Sequence, residues 1–147
     1  MSGLRFDYEN QVCDKQAFTG AATVSTDSYK KGSAAQDLSI GRRLVFLVLP
    51  VVNAGAGSTV LLEAIQADNG ALTTNVEVIG QTSVPAAKFI KGKEIEIGMN
   101  QGVMSKQYLG IRVTITGGTT TATLDAYIVP MDEVAYFKSF PKVNNVG

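Results

Sequence analysis

Glu94 and Glu96 stand two residues apart in the run Lys93-Glu94-Ile95-Glu96-Ile97-Gly98-Met99. On an extended strand this spacing puts both carboxylates on one face, with Cβ atoms about 6–7 Å apart. A pair at such a distance can divide the acid and nucleophile or base roles of glycoside hydrolysis. The same alternation is also what any solvated strand face shows, with Ile95, Ile97 and Met99 turned inward. The plainer reading outweighs the catalytic one. No histidine occurs in the 147 residues, which removes Ser-His-Asp and Cys-His nucleophile systems and His-based zinc or iron sites. The lone Cys13 cannot form an intrachain disulfide and reads as a small buried thiol. No catalytic, cofactor-binding or metal-ligating residue is assigned, so the expectation is a protein that is not an enzyme and carries no cofactor.

Three further motifs have weaker chemical readings. Asn53-Ala-Gly-Ala-Gly-Ser-Thr59 is glycine-rich like a phosphate-binding loop, but lacks the Gly-Lys-Ser/Thr ending and a following helix. Asp68-Asn69-Gly70 opens like a calcium loop, yet the next oxygen donors are Thr73, Thr74 and Asn75, at the wrong spacing. A plain turn is the better reading. Lys88, Lys91 and Lys93 form a small basic cluster that could meet an acidic partner surface, against the default of a solvated loop.

Thirteen basic residues balance thirteen acidic ones. Neutrality argues against a nucleic-acid partner, since phosphate binding usually needs a basic excess. It is compatible with dense packing of copies on an assembled surface. There is no tryptophan and the five tyrosines are dispersed, which weakens sugar-platform and base-stacking readings. The first ten residues lack the basic-then-apolar order of a signal peptide. The longest apolar run, Leu44 to Val52, is too short to cross a bilayer. No membrane partner is expected.

The elements that must position these residues read as strands. Period-two alternation is clearest over Lys93–Met99 and over Tyr108–Thr116, where Leu109, Ile111, Val113 and Ile115 share a face. Thr121–Pro130 alternates again, with Leu124, Ala126 and Ile128 together. Gly117-Gly118 between the two runs predicts an antiparallel hairpin. Arg43–Val52 is continuously apolar and predicts a strand buried on both faces, or on one face with an interface on the other. Thr59–Ala67, Asn75–Thr82 and Ala22–Tyr29 read as further strands, and Pro85–Ile90 allows one helical turn. Seven or eight short strands with no long helical pattern predict an all-β fold, an antiparallel β-sandwich or jelly roll of about eight strands.

Residues 1–16 and 131–147 fall outside this pattern and read as extended N- and C-terminal arms around a domain over 17–130. Leu4, Phe6 and Tyr8 in the first arm, and Tyr136, Phe137 and Phe140 in the second, are candidates for contact with a neighbouring copy or another partner, as are Lys88 and Lys91. Apolar side chains left in water are an aggregation liability, so such arms suit either folding back or assembly.

Asp37-Leu-Ser-Ile-Gly-Arg-Arg-Leu44 running into Val45-Phe-Leu-Val-Leu49 resembles the central-strand region of capsid cement (decoration) proteins of tailed bacteriophages, of the Bordetella-phage type. Leu62-Glu-Ala-Ile-Gln-Ala-Asp-Asn69, Val84-Pro-Ala-Ala-Lys-Phe-Ile-Lys-Gly92, Lys106-Gln-Tyr-Leu-Gly-Ile-Arg-Val113 and Thr116-Gly-Gly-Thr-Thr-Thr121 resemble the same family in the same order. Gly110 stands where that family more often has arginine. The tail after Met131 is longer than the family pattern. The resemblance covers roughly residues 15–130. It implies a jelly-roll domain, made in the bacterial host, that forms dimers or trimers on the outer surface of the virion. There it would bind the major capsid protein and hold adjacent subunits together, without a cofactor. The alternative is a ligand- or carbohydrate-binding β-sandwich module on a virion or cell surface.

Overall fold

The computed structural model describes residues 11–19, 21–30, 44–100, 105–117 and 121–130. Nine strands form two antiparallel sheets: β1 (Gln11–Phe18), β2 (Thr23–Val24), β3 (Tyr29–Lys30), β4 (Leu44–Val52), β5 (Thr59–Ala67), β6 (Glu77–Pro85), β7 (Ile95–Gly98), β8 (Tyr108–Thr116) and β9 (Ala122–Pro130). One sheet has the order β1-β9-β4-β7, the other β2-β8-β5-β6, with β3 also on β8. Counting β2 and β3 as one interrupted strand gives eight strands in jelly-roll order, with successive strands changing sheet everywhere except at the β5–β6 hairpin. The all-β sandwich expected from the alternation is therefore the fold.

The core lies between the sheets. Leu62 pairs with Val113, Ala64 with Ile111 and Val60 with Ile115, forming one inward surface. Phe46, Val48, Ile97, Leu124, Ala126 and Ile128 supply the other. All are buried, so period two in sequence becomes one apolar layer per sheet.

Three expectations are corrected. The hairpin across Gly117-Gly118 does not form: β8 pairs with β5, β2 and β3, whereas β9 pairs with β1 and β4 in the opposite sheet. Gly117 does take a positive φ of 75°, but the turn serves a crossing between layers. It lies against the β4–β5 loop, where the Ser58 hydroxyl donates to the Gly117 carbonyl at 3.1 Å. Both strands carry full apolar rows, and placing them in facing sheets buries each row against the other.

Secondly, residues 11–16, assigned to the N-terminal arm, belong to β1, which pairs with β9. Register shifts between Gln11 and Cys13 and between Cys13 and Gln16 disrupt the alternation that would have revealed a strand.

Thirdly, the strand expected over Ala22–Tyr29 is broken. Ser25 replaces part of the ladder, its amide donating to the Ile111 carbonyl at 2.8 Å and its hydroxyl accepting from the Ile111 amide at 3.2 Å. The 3-10 turn Ala86–Lys88 fulfils the single helical turn foreseen after Pro85.

Both lateral edges of the sandwich are closed. On one, the Gln16 side chain accepts from the Thr26 amide at 2.8 Å and donates to the Val24 carbonyl at 3.0 Å, tying β1 to β2 across the sheets. On the other, Gly80 of β6 meets Gly98 of β7 backbone to backbone, and the Asn100 amide donates to the Ile79 carbonyl at 2.7 Å. A Cβ on Gly80 would overlap the Gly98 carbonyl oxygen, an atom that cannot rotate away.

Two predictions follow from this packing. Gly80→Ala should destabilise the fold by about 1–3 kcal/mol, the range of overpacked cores, as a lower urea midpoint. Cys13 is fully buried, and burial first, then the charges of Asp125 and Asp27, push its thiol well above the ordinary cysteine range. It should therefore resist a disulfide reagent at mildly alkaline pH in the native state and react stoichiometrically in denaturant.

Candidate functional site

Of the residues singled out from sequence, Leu4, Phe6, Tyr8, Tyr136, Phe137 and Phe140 lie outside the described residues. The points where their segments join the sandwich are described. Leu44, the first residue of β4, pairs with Pro130, the last of β9, and Gln11, the first of β1, pairs with Tyr127, three positions before that end. The segments 1–10, 31–43 and 131–147 thus join the four-stranded sheet at one and the same end.

Beside that end, the sheet's outer face is apolar. Strand register lines up Gln11, Tyr127, Leu47 and Glu96 in a row across all four strands, and Val45 with Val129 in the next. Val45, Leu47, Tyr127 and Val129 form a cluster of their own, with Leu49 packed against it. This face points away from the inter-sheet core, yet Leu47 and Val129 are 0 % exposed. The Gln11 amide donates to the Tyr127 hydroxyl at 3.2 Å. Burial, with Asp125 and Asp14 adding to it, pushes the Tyr127 phenol up to about 12. The expectation that β4 is buried on both faces holds, because a sheet-central strand with an apolar residue at every position has an apolar face on each side.

Lys88 and Lys91 sit at the opposite end of the sandwich. The 3-10 turn and the segment after it run beside the end of β4. The Ala54 amide donates to the Phe89 carbonyl at 3.3 Å, the Lys91 amide to the Asn53 side-chain oxygen at 2.7 Å and the Gly92 amide to the Pro50 carbonyl at 3.0 Å. Phe89 plugs the core at 0 % exposure, while Lys88, Ile90, Lys91 and Lys93 are exposed. Val52 is exposed at this end too. Sequence reading passed over Val52 and Ile90. Their available signals were the last position of an apolar run and the second member of Phe89-Ile90, of which one short turn can bury only one.

The motifs weighed as chemistry resolve into local structure. Glu94 and Glu96 are half-buried at the edge of the four-stranded sheet, Glu96 opposite Leu47, and both are already engaged in interactions. The Asp68-Asn69-Gly70 turn is held by its own side chains. Asn69 Oδ1 accepts from the Thr73 and Thr74 amides at 2.9 Å each, and the Asn75 amide group donates to Asp68 at 2.7 Å. That hydrogen bond, more than the nearby Lys106, holds the Asp68 carboxyl below its ordinary value. Among the described residues, no group of three or more Cys, Asp or Glu side chains is placed to hold a metal ion.

The model of a protein family described as Bbp16 matches residues 12–128. The match begins inside β1 and ends inside β9, so it spans the sandwich and includes the first-strand residues that alternation did not reveal. No curated protein matches the chain.

A covered outer face has a measurable consequence. Leu47→Ala should cost about 2–4 kcal/mol, as for a core leucine, against the roughly 0.5 kcal/mol typical of a solvent-facing site. Urea denaturation followed by circular dichroism reads the difference.

Proposed function

The chain belongs to the Bbp16 family, whose name points to a Bordetella phage protein, and on that premise we propose that it is a capsid cement protein. It binds the outer surface of the phage head and holds neighbouring major capsid protein subunits together. The observation that carries this reading is that segments 1–10, 31–43 and 131–147 join the four-stranded sheet at the same end, beside its apolar outer face. Two of those segments hold the arm aromatics Phe6, Tyr8, Tyr136, Phe137 and Phe140. A rigid β-sandwich with aromatic arms issuing from one place can span a seam between subunits, the arms gripping a neighbouring copy or the shell.

The work such a protein does is summed interface burial. Each copy contributes a modest contact, and many copies on a lattice add through multivalency. Binding to the assembled shell also stabilises it against disassembly by mass action. No bond is made or broken in this role, and the residues that serve it are contact residues of the arms and of the sandwich surface.

Purified protein should bind expanded heads that lack it, saturate at a copy number fixed by the lattice, and raise the temperature at which DNA-filled heads rupture. Sedimentation with heads and a thermal DNA-release assay measure both. Absence of binding to expanded heads would overturn the reading.

A further inference from the structure

A protein that ties shell subunits together needs more than one grip, and segments 1–10, 31–43 and 131–147 all join the four-stranded sheet at one end. The described residues that build the opposite end include the β4–β5 loop and the segment 85–94. Three large apolar side chains are exposed among the described residues, and two of them are here: Val52 at 52 % and Ile90 at 39 %. Hydrogen bonds from Lys91 to Asn53 and from Gly92 to Pro50 bind their two chain segments side by side. The aliphatic pair is therefore carried on a pinned surface, not on a free loop. Phe89 beneath it is fully buried and fixes the turn to the core.

Lys88, Lys91 and Lys93, all exposed, flank Ile90 in the same segment. Among the described residues, no carboxylate forms a salt bridge with any of them: the ion pairs present join Lys106 to Asp68 and Glu77, and Arg112 to Glu63. Glu94, next in the chain, is half-buried and engaged in its own interaction. A chain with equal numbers of acidic and basic residues thus concentrates three positive charges at one end.

We propose that this loop end, carrying Val52 and Ile90 with Lys88, Lys91 and Lys93, is a docking surface for a protein surface that presents carboxylates around an apolar patch. The inference rests on the cement reading, under which that surface belongs to the capsid shell. A protein partner is favoured over nucleic acid because exposed aliphatic side chains gain nothing against phosphates, and among the described residues no exposed aromatic is offered to a base. Apolar centres with a charged rim are the ordinary anatomy of protein interfaces, the rim setting orientation and association rate.

The test compares binding to purified expanded heads by the wild type, by Lys88→Glu/Lys91→Glu/Lys93→Glu and by Val52→Ser/Ile90→Ser, at low and high salt. All five side chains are exposed, so melting temperature and circular dichroism should match the wild type and certify folding. The lysine variant is expected to bind at least about 30-fold more weakly at low salt, with the difference shrinking at high salt. The aliphatic variant is expected to lose about tenfold at both. Variants that bind heads like the wild type overturn the proposal and leave the cement reading standing. A wild type that does not bind heads overturns both. If the wild type binds a short DNA duplex, and the lysine variant loses only that binding, the surface is a nucleic-acid site and the proposal fails.

Discussion

Burial of two facing apolar layers is the interaction on which the rest of this molecule depends. Each sheet offers one inward row per strand, and neither sheet could exist alone with those rows in water. Leu109, Ile111, Val113 and Ile115 on β8 face Leu124, Ala126 and Ile128 on β9 across the core, although the two strands are consecutive in the chain. That demand forces the chain to cross between layers at nearly every connection. It also explains why the sides need separate closures. At β6–β7 two glycines let backbones touch, and at β1–β2 the Gln16 side chain satisfies backbone groups of the neighbouring sheet. A strand edge left open would be a template for unwanted pairing, and these contacts blunt it on both sides.

What was legible in the sequence was what depends on period two alone. β5 and β8 fall at the predicted residues, and β4 and β9 within one residue of them, because each is a nine-residue strand with at least one strongly apolar face. What was illegible depends on partners distant in the chain. Nothing local distinguishes a glycine turn that closes a hairpin from one that changes layers. β1 hid because two register shifts break its alternation, and the β2–β3 strand because Ser25 substitutes a side-chain oxygen for ladder geometry. Gly110 is the instructive case. Against the family resemblance it looked like a departure from arginine, and the structure gives the reason: Leu72 and the Ser25 hydroxyl occupy the space where its Cβ would lie. Leu72 itself takes a positive φ of 59° in the β5–β6 turn and is 1 % exposed, capping the outer cluster of Ile65 and Ala67. The Leu72 side chain fills the space that Gly110 leaves, a fit that no single position can disclose.

The candidate surfaces divide in the same way. Lys88 and Lys91 could be named in advance because charge in a short loop is nearly always exposed. Val52 and Ile90 could not, since apolar residues next to Pro50 and Phe89 read as core until the turn geometry shows that only Phe89 fits inside. The apolar outer face of the four-stranded sheet lay between these extremes. An unbroken run such as Leu44–Leu49 announces a strand without a wet face, but it does not say what covers the second one. The register supplies the missing half by placing Tyr127 and Val129 beside Leu47 and Val45.

The polarity that results bears on how such a module would act at a surface. Gln66, fully buried, accepts from the Ser105 and Lys106 amides at 2.9 and 3.2 Å and donates to Glu77 at 2.8 Å, fixing the loop before β8 at the arm-bearing end. Lys106 is drawn into the same network by Asp68 and Glu77, so positive charge there is locally neutralised. No such compensation is described around Lys88, Lys91 and Lys93. Among the described residues the two ends are therefore unlike: at one Lys106 is paired with Asp68 and Glu77, and at the other lysines and aliphatic side chains are exposed. Like ends do not attract when one of them is uniformly basic, so copies of the molecule are discouraged from stacking through their loop ends. Under the docking proposed above, the loop end suits a surface of opposite character. The division of labour requires no change of shape, only a sandwich rigid enough to keep its two ends apart.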